Sequence, residues 1–158
     1  MNTQKPTTVG ILSDTHGLLR PEIATVLGGC DHILHAGDIG DKQVLTGLQR
    51  IAPVTAVRGN MDYGSWSNHL PVSEMVEISG VFFFIVHDLY HLDLDPAAAD
   101  IQVVVSGHTH RPELITKDGV IYINPGSAGH RRSNYPISMA TIGINDGRIA
   151  PHLLTIEA

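Results

Sequence analysis

Two histidines separated by a single residue, His108 and His110, come directly after the apolar run at residues 103–105. A continuous run of β-branched residues is typical of a strand covered on both faces, and Ser106 and Gly107 would end it. Ligands tend to bind beyond the carboxyl ends of strands in open α/β sheets. Histidine is a common transition-metal ligand, but a pair of loop histidines is weak evidence taken alone.

Four other segments also end an apolar run with residues of this chemistry. They are LSDTHG at 12–17, HAGDIG at 35–40, RGNMDYG at 58–64 and VHDL at 86–89. A lone Asp or His at a strand end is usually a turn former, but five strand ends with such residues favour a shared site. With SGHTHRP at 106–112, these segments supply seven oxygen or imidazole donors: Asp14, His16, Asp38, Asn60, His87, His108 and His110.

The chemistry of these donors indicates the kind of metal. Carboxylates and imidazoles without thiolate suit Mn, Fe, Zn, Co or Ni better than a sulfur-preferring ion or calcium. Seven ligands are too many for one ion but are enough for two ions bridged by a carboxylate. Two ions about 3.5 to 4 Å apart are the arrangement used for in-line displacement at phosphorus.

The elements that must position these donors follow two patterns. In the first half, the apolar segments TVGILSD, CDHILHAGD and APVTAVRGN alternate with the helix-like LLRPEIATVLGG and DKQVLTGLQRI, which is typical of a parallel βαβ arrangement. In the second half, seven strand-like segments are separated by turns, with hairpin signals at 117–119 and 145–147. We expect a four-layer α/β fold, a two-sheet β-sandwich flanked by helices.

Composition limits the classes of function. The 158 residues predict one domain over 1–158, and no apolar run approaches the ~18 residues of a membrane span. The net charge is −6 and the ten Lys and Arg are scattered, so we expect no large nucleic acid and no membrane as partners. The polar start lacks signal-peptide features and Cys30 is the one cysteine, which favours a cytoplasmic protein.

The ordered set D-x-H, GD, GN, H and GHTH, between residue 9 and about residue 130, resembles the calcineurin-like metallophosphoesterase superfamily. The short chain is similar to its small, YfcE-type phosphodiesterase branch. The resemblance implies the two-sheet fold and two divalent ions, Mn first, with Ni, Zn, Fe or Co as alternatives. It also implies that Asp38 bridges the ions, with Asp14, His16 and His110 on one and Asn60, His87 and His108 on the other.

The function implied is hydrolysis of small phosphodiesters, with a metal-bridging water or hydroxide attacking phosphorus in line. Asp38, Asn60 and His108 are then the catalytic residues. One alternative is a phosphomonoesterase or protein phosphatase, and another is a noncatalytic scaffold similar to the retromer subunit. Many superfamily members carry a histidine where this chain has Met61, which cannot protonate a leaving oxygen and so favours substrates with a good leaving group.

Several residues beside the motifs allow two interpretations. Asp62 either orients His108 or His110 through a hydrogen bond or stabilises its own turn. Asp88 and His91 are either rim residues of the pocket or ordinary loop residues.

The NPGS turn at 124–127 is expected to support the metal loops through Asn124 or the backbone. Arg131 and Arg132 either bind the substrate phosphate or belong to a solvated basic turn. Homo-oligomerisation is possible, but no residue selects a particular state.

Overall fold

The computed structural model describes residues 5–131 and 134–156, which form two five-stranded sheets, two α-helices and one short 3₁₀ helix. All ten strands expected from the sequence are present within the described ranges. In chain order the elements are β1 (Thr7–Leu12), α1 (Pro21–Leu27), β2 (His32–His35), α2 (Lys42–Gln49), β3 (Val54–Ala56), β4 (Ser73–Ile78), β5 (Val81–Val86), the 3₁₀ helix η1 (Leu89–His91), β6 (Val103–Val105), β7 (Glu113–Lys117), β8 (Val120–Asn124), β9 (Ile137–Asn145) and β10 (Arg148–Ile156).

Each sheet has three parallel strands at its centre or along one side. The first sheet has the order β10-β9-β1-β2-β3, in which β1, β2 and β3 are parallel. The second has the order β4-β5-β6-β8-β7, in which β5, β6 and β8 are parallel. Parallel strands have their carboxyl ends at one edge of a sheet, so every predicted metal-binding segment follows a strand toward such an edge.

The main core lies between the two sheets. Val9 and Ile11 of β1 face it from the first sheet, and Phe83 and Val103 face it from the second. All four are fully buried, as period-two alternation along a strand predicts for residues on one face. This packing holds the two sets of strand ends side by side.

Both helices cover the outer face of the first sheet, where Ile23, Leu27 and Leu48 pack against Leu12 and Ile33. The outer face of the second sheet instead packs against the irregular segment that follows β5, which contributes Leu92 and Ile101. The predicted two-sheet α/β sandwich is confirmed, with its helices on one side among the described residues. None of the described helices is long and apolar enough to cross a membrane.

The turns and helix ends agree with the sequence signals. Asp41 begins α2 by accepting a hydrogen bond from the Gln43 amide, as its position predicts. The hairpin signals at 117–119 and 145–147 join β7 to β8 and β9 to β10. Ser79 and Gly80, both with positive φ, make a third hairpin between β4 and β5 that the sequence analysis did not single out.

Candidate metal centre

The loops that follow the strands are joined by backbone hydrogen bonds. The amides of Asp14 and His16 donate to the carbonyls of Gly37 and Asp38, each at 3.0 Å. Within the second sheet, the Gly107 amide after β6 donates to the carbonyl of the residue after β5, at 2.9 Å, and between the sheets the Ala128 amide donates to the Ser13 carbonyl at 3.0 Å. Side chains carried by these loops are therefore held at fixed positions relative to one another.

Five of the seven predicted ligands meet in one buried cluster. Asp14 Oδ1 lies 3.4 Å from His110 Nε2, 3.7 Å from His16 Nε2 and 4.0 Å from His87 Nε2. Asp38 Oδ2 lies 3.2 Å from His87 Nε2 and 3.8 Å from His16 Nε2. Two ligand groups can be drawn from these atoms, Asp14 with His16 and His110, and Asp14 with Asp38 and His87.

The cluster contains polar atoms that the protein leaves unsatisfied. Asp14 is fully buried, yet its Oδ1 and the Nε2 atoms of His16 and His87 have no hydrogen-bond partner in the described part of the chain. His87 Nε2 and Asp38 Oδ2 are close but are not in hydrogen-bond geometry. Buried polar atoms without partners are costly, and a cation is the ligand that lone pairs of this kind bind. The residues therefore fit a metal site.

Three of the predicted ligands are held by their other polar atoms. His87 Nδ1 lies 2.8 Å from the Ala36 carbonyl, so that nitrogen carries the proton and Nε2 keeps its lone pair. Asp14 Oδ2 accepts hydrogen bonds from the Ser13 hydroxyl and the His108 amide, and Asp38 Oδ1 accepts one from the Met61 amide. These contacts orient the free atoms toward the cluster.

The electrostatics of the cluster keep both carboxylates ionised. Burial raises the pKa of Asp14, but His16, the Ser13 hydroxyl and the charges of His87 and His110 together outweigh it and leave that pKa below its usual value. The pKa of Asp38 is also lowered, because His87 and the Met61 amide outweigh burial. Burial lowers the pKa of His87, but the two carboxylates raise it by more. A bound cation can replace the proton that this arrangement attracts to His87.

The backbone of the site adopts an uncommon conformation. Left-handed φ values are rare for non-glycine residues and cost of order 1–3 kcal/mol each, and they concentrate at functional sites. Close approach of the loops adds to the constraint: a Cβ on Gly59 would collide with Asp38. The predicted ligands with positive φ are Asp14 (56°), His16 (47°), Asp38 (54°), His108 (74°) and His110 (63°).

The other two predicted ligands lie on the wall of an adjoining cleft. His108 and Asn60 line this cleft of about 370 Å³ together with His87. The His108 side chain is 44% exposed, and its ring lies edge-on to that of His87 with centroids 5.2 Å apart. His108 therefore contacts the cluster in two ways: its ring lies against the His87 ring, and its backbone amide donates to Asp14 Oδ2.

The alternatives left open by the sequence have structural answers. Asp62 accepts hydrogen bonds from the Ile39, Gly40 and Gly59 amides. These bonds stabilise the turns after β2 and β3, and none of them involves a histidine. Asp88 and His91 both line the cleft and are rim residues.

Asn124 supports the loop after β6, as expected, because its Nδ2 donates to the Gly107 carbonyl and to Thr109 Oγ1, each at 3.0 Å.

The substrate-binding role of Arg131 and Arg132 stays a prediction. Arg131 is exposed and is not among the described residues that line the cleft, and Arg132 lies outside the described residues. Arg58 does line the cleft, and it is the one Lys or Arg among its described lining residues. Sequence reasoning missed Arg58, although its place at the start of RGNMDYG, directly before a predicted ligand, was an available signal.

A two-sheet α/β sandwich with buried carboxylates and imidazoles at the carboxyl ends of its parallel strands places the chain among proteins with a candidate metal centre at a strand-end edge. Residues 8–147 match the calcineurin-like phosphoesterase superfamily domain. The chain belongs to this family, and it is a hydrolase that acts on phosphoric esters.

Relatives with sequence similarity carry related names. A probable metallophosphoesterase of Methanocaldococcus jannaschii is 33% identical over 132 residues, which cover 75% of this chain and 67% of the relative. One from Methanothermobacter thermautotrophicus is 35% identical over 136 residues, 75% of this chain and 76% of the relative. A phosphodiesterase of M. jannaschii is 29% identical over 157 residues, 87% of this chain and 92% of the relative.

Solved structures share the fold. A structure reported as a novel archaeal phosphodiesterase has a TM-score of 0.79 at 24% identity, covering 95% of this chain and all of that one. Vacuolar protein sorting 29 from Cryptosporidium parvum has a TM-score of 0.78 at 18% identity, covering 98% of this chain and all of that one. At these identities the likeness is one of fold alone.

Proposed function

We propose that this protein hydrolyses small phosphodiesters at a binuclear site for divalent transition metals, with Mn²⁺ as the first choice and Ni²⁺, Zn²⁺, Fe²⁺ or Co²⁺ as alternatives. One observation carries the proposal: the unpartnered Nε2 atoms of His16 and His87 lie 3.7 and 4.0 Å from the unpartnered Oδ1 of buried Asp14. The phosphodiesterase name of one relative supports the choice of a diester.

The proposed ligand assignment places Asp14, His16 and His110 on one ion, Asn60, His87 and His108 on the other, and Asp38 between them. The position of Asp38 Oδ2, within 3.8 Å of nitrogens from both sets, supports the bridging role. Asp14 Oδ1 also approaches both sets of histidines and is the alternative bridge.

When bound, two such ions supply Lewis acidity toward phosphate oxygens and lower the pKa of water to roughly 7 in favourable cases. The chain's own residues bind and orient the substrate. His108 and Asn60 stand on the cleft wall, where an imidazole or amide N–H can donate to a phosphate oxygen. Arg58 lines the same cleft and can make a charge-assisted hydrogen bond to the phosphate.

Met61 lies where a side chain that protonates the leaving oxygen would be needed. Its own side chain is 48% exposed and has no group that transfers a proton. General acid catalysis is typically worth 10²- to 10⁴-fold, so substrates with poor leaving groups should react slowly. We therefore expect a larger dependence of rate on the leaving-group pKa than in relatives with a histidine at this position.

The test uses metal-stripped protein supplied with Mn²⁺ or Ni²⁺ and two chromogenic esters. Bis(4-nitrophenyl) phosphate should be hydrolysed faster than 4-nitrophenyl phosphate. The reverse order would favour a phosphomonoesterase. No turnover of either ester with any of the named ions would contradict the proposal and favour a noncatalytic scaffold.

The variant Asp38→Asn tests the site itself. It should lower bound metal and reduce diester hydrolysis at least 100-fold, because a bridging ligand loses its charge. Asp118→Asn is the matched control, since Asp118 is exposed in the β7–β8 hairpin and has a similar φ of 54°. Near-normal metal content and turnover in Asp38→Asn would contradict the bridging role.

A further inference from the structure

A second pocket, of about 230 Å³, lies beside the cleft on the other side of Asp88. It is found where β6 and β8 end. Leu89 and Tyr90 of η1 contribute to its lining, as do Ile115 of β7 and Tyr122 of β8. Most of this lining is apolar, and the pocket is large enough for a small organic group.

The pocket shares a wall with the proposed metal centre. Asp88 lines both the pocket and the cleft, and its Oδ2 lies 3.7 Å from His108 Nε2. Gly107 lines the pocket too, and its amide is bonded to the His87 carbonyl. A phosphodiester carries two organic groups on one phosphorus, and the two cavities meet at Asp88, next to the predicted ligand His108.

The charges of the pocket have one sign. Asp88 and Glu113 place two carboxylates in its lining, and no Lys or Arg is among its described lining residues. Tyr90 and Tyr122 add two aromatic rings. Aromatic faces and carboxylates attract a poorly hydrated cation such as a quaternary ammonium, and both disfavour an anion.

We propose that this pocket holds one of the two organic groups of the substrate and selects a group that carries a quaternary or protonated ammonium. The assignment rests on the proposed phosphodiesterase function and adds a substrate class to it: phosphodiesters in which one alcohol is a small amino alcohol. The second alcohol occupies the cleft that Arg58 lines.

A matched pair of chromogenic substrates isolates the charge. In 4-nitrophenyl phosphorylcholine and the 4-nitrophenyl ester of 3,3-dimethylbutyl phosphate, the alcohols have nearly the same shape and differ by one positive charge. In both, water adds to phosphorus and the P–O bond to 4-nitrophenolate breaks, which gives 4-nitrophenolate, the phosphomonoester and two protons taken up by buffer. With Mn²⁺-loaded protein, kcat/KM should be about tenfold higher for the choline ester.

Substitutions at Glu113 test where the preference arises. Glu113 lines the pocket but is exposed and is not part of the metal cluster, so its substitution should leave metal binding unchanged, and the preference is read from the matched pair of esters. Glu113→Gln should reduce the choline preference about threefold, and Glu113→Lys should abolish or invert it. Glu77→Gln, at an exposed position on the far edge strand β4 of the same sheet, is the control and should keep the preference.

A binding measurement separates this proposal from the phosphodiesterase proposal. Choline is titrated into metal-free protein while the methyl signals of Ile115 and Ile123, which line the pocket, are followed by nuclear magnetic resonance. Saturable shifts that weaken in Glu113→Lys support the pocket even if no diester is hydrolysed. Hydrolysis without choline preference, or the absence of such shifts, overturns the pocket assignment and leaves the phosphodiesterase proposal standing.

Discussion

At the scale of single residues, His35 shows how a histidine beside the site is kept out of it. The side chain is fully buried and its Nδ1 accepts a hydrogen bond from the Gly37 amide at 3.0 Å. Thr15 Oγ1 donates to the Ile39 carbonyl, so its lone pair accepts from His35 Nε2, 3.0 Å away. Both ring nitrogens are thus hydrogen-bonded in one neutral tautomer. A second proton would have to bind Nδ1, where it would replace the hydrogen bond from the Gly37 N–H with a contact between two donors.

This arrangement predicts a pH dependence of stability. Burial lowers the pKa of His35 from 6.5 to about 4, so the unfolded chain binds a proton that the folded chain refuses between those values. The contribution of neutral His35 to the unfolding free energy is present above pH 6.5. It is lost as pH falls toward 4, and the total loss is about 3 kcal/mol. Urea unfolding of metal-free protein should show it.

His35→Asn keeps an acceptor for the Gly37 amide but cannot titrate. The difference in unfolding free energy between this variant and the native protein should shrink as pH falls from 7 to 4. His152→Asn, at an exposed position, is the control and should follow the native curve. A constant difference for His35→Asn across this range would refute the prediction.

At the scale of elements, one carboxylate joins the loops that follow β2 and β3. Asp62 is 5% exposed and accepts hydrogen bonds from the Ile39 amide at 3.1 Å, the Gly40 amide at 2.9 Å and the Gly59 amide at 3.0 Å. Asp38 lies directly before the first of these amides in the chain and holds a positive φ. Asp62 therefore fixes the backbone that presents a proposed metal ligand.

Asp62→Asn should destabilise the protein by about 3 kcal/mol, because the amide accepts fewer hydrogen bonds and places a donor against backbone N–H groups. Metal affinity should fall as well, since Asp38 is held less firmly. Chemical denaturation and metal titration measure the two effects, with Asp118→Asn as the exposed control. Native stability in Asp62→Asn would show that the three hydrogen bonds contribute little.

At the scale of the whole molecule, the fold brings Asp14 Oδ1 and the Nε2 atoms of His16 and His87 together without a hydrogen-bond partner in the described part of the chain. The sandwich brings two buried carboxylates and the Nε2 atoms of three imidazoles together, and five backbone positions there have left-handed φ. Unpartnered buried atoms and left-handed φ values both lower the stability of the folded state, and the apolar core between the sheets offsets this loss. A metal that binds the folded chain and not the unfolded chain must then add to stability.

Metal removal should therefore lower Tm. At a free Mn²⁺ concentration of 100 Kd, binding raises the unfolding free energy by about 2.7 kcal/mol. For a chain of this size this corresponds to a Tm increase of roughly 5–10 °C. Scanning calorimetry with and without chelator measures it. Calcium, which prefers all-oxygen sites, should give a smaller rise, and Asp38→Asn should reduce the rise with Mn²⁺. An unchanged Tm in native protein would argue against a metal site.

The sequence by itself determined the elements and the kind of chemistry. Local patterns gave the strands, the two helices, the Asp41 cap and two of the three hairpins, because hydrophobic period and turn residues act within a few positions. The residue types of the seven donors indicated a transition-metal site, since ligand preference depends on the donor atoms. The prediction of one domain over residues 1–158 stays a prediction.

Only the tertiary structure decided how these parts meet. The packing of the two sheets set which loops touch, so it placed Arg58 on the cleft, left Arg131 exposed and directed Asp62 to three amides instead of to a histidine. It also created the pocket beyond Asp88 from residues of η1, β7, β8 and the loop after β6. Such contacts join residues far apart in the chain, and no local pattern encodes the distance between two strand ends until the core between the sheets has fixed it.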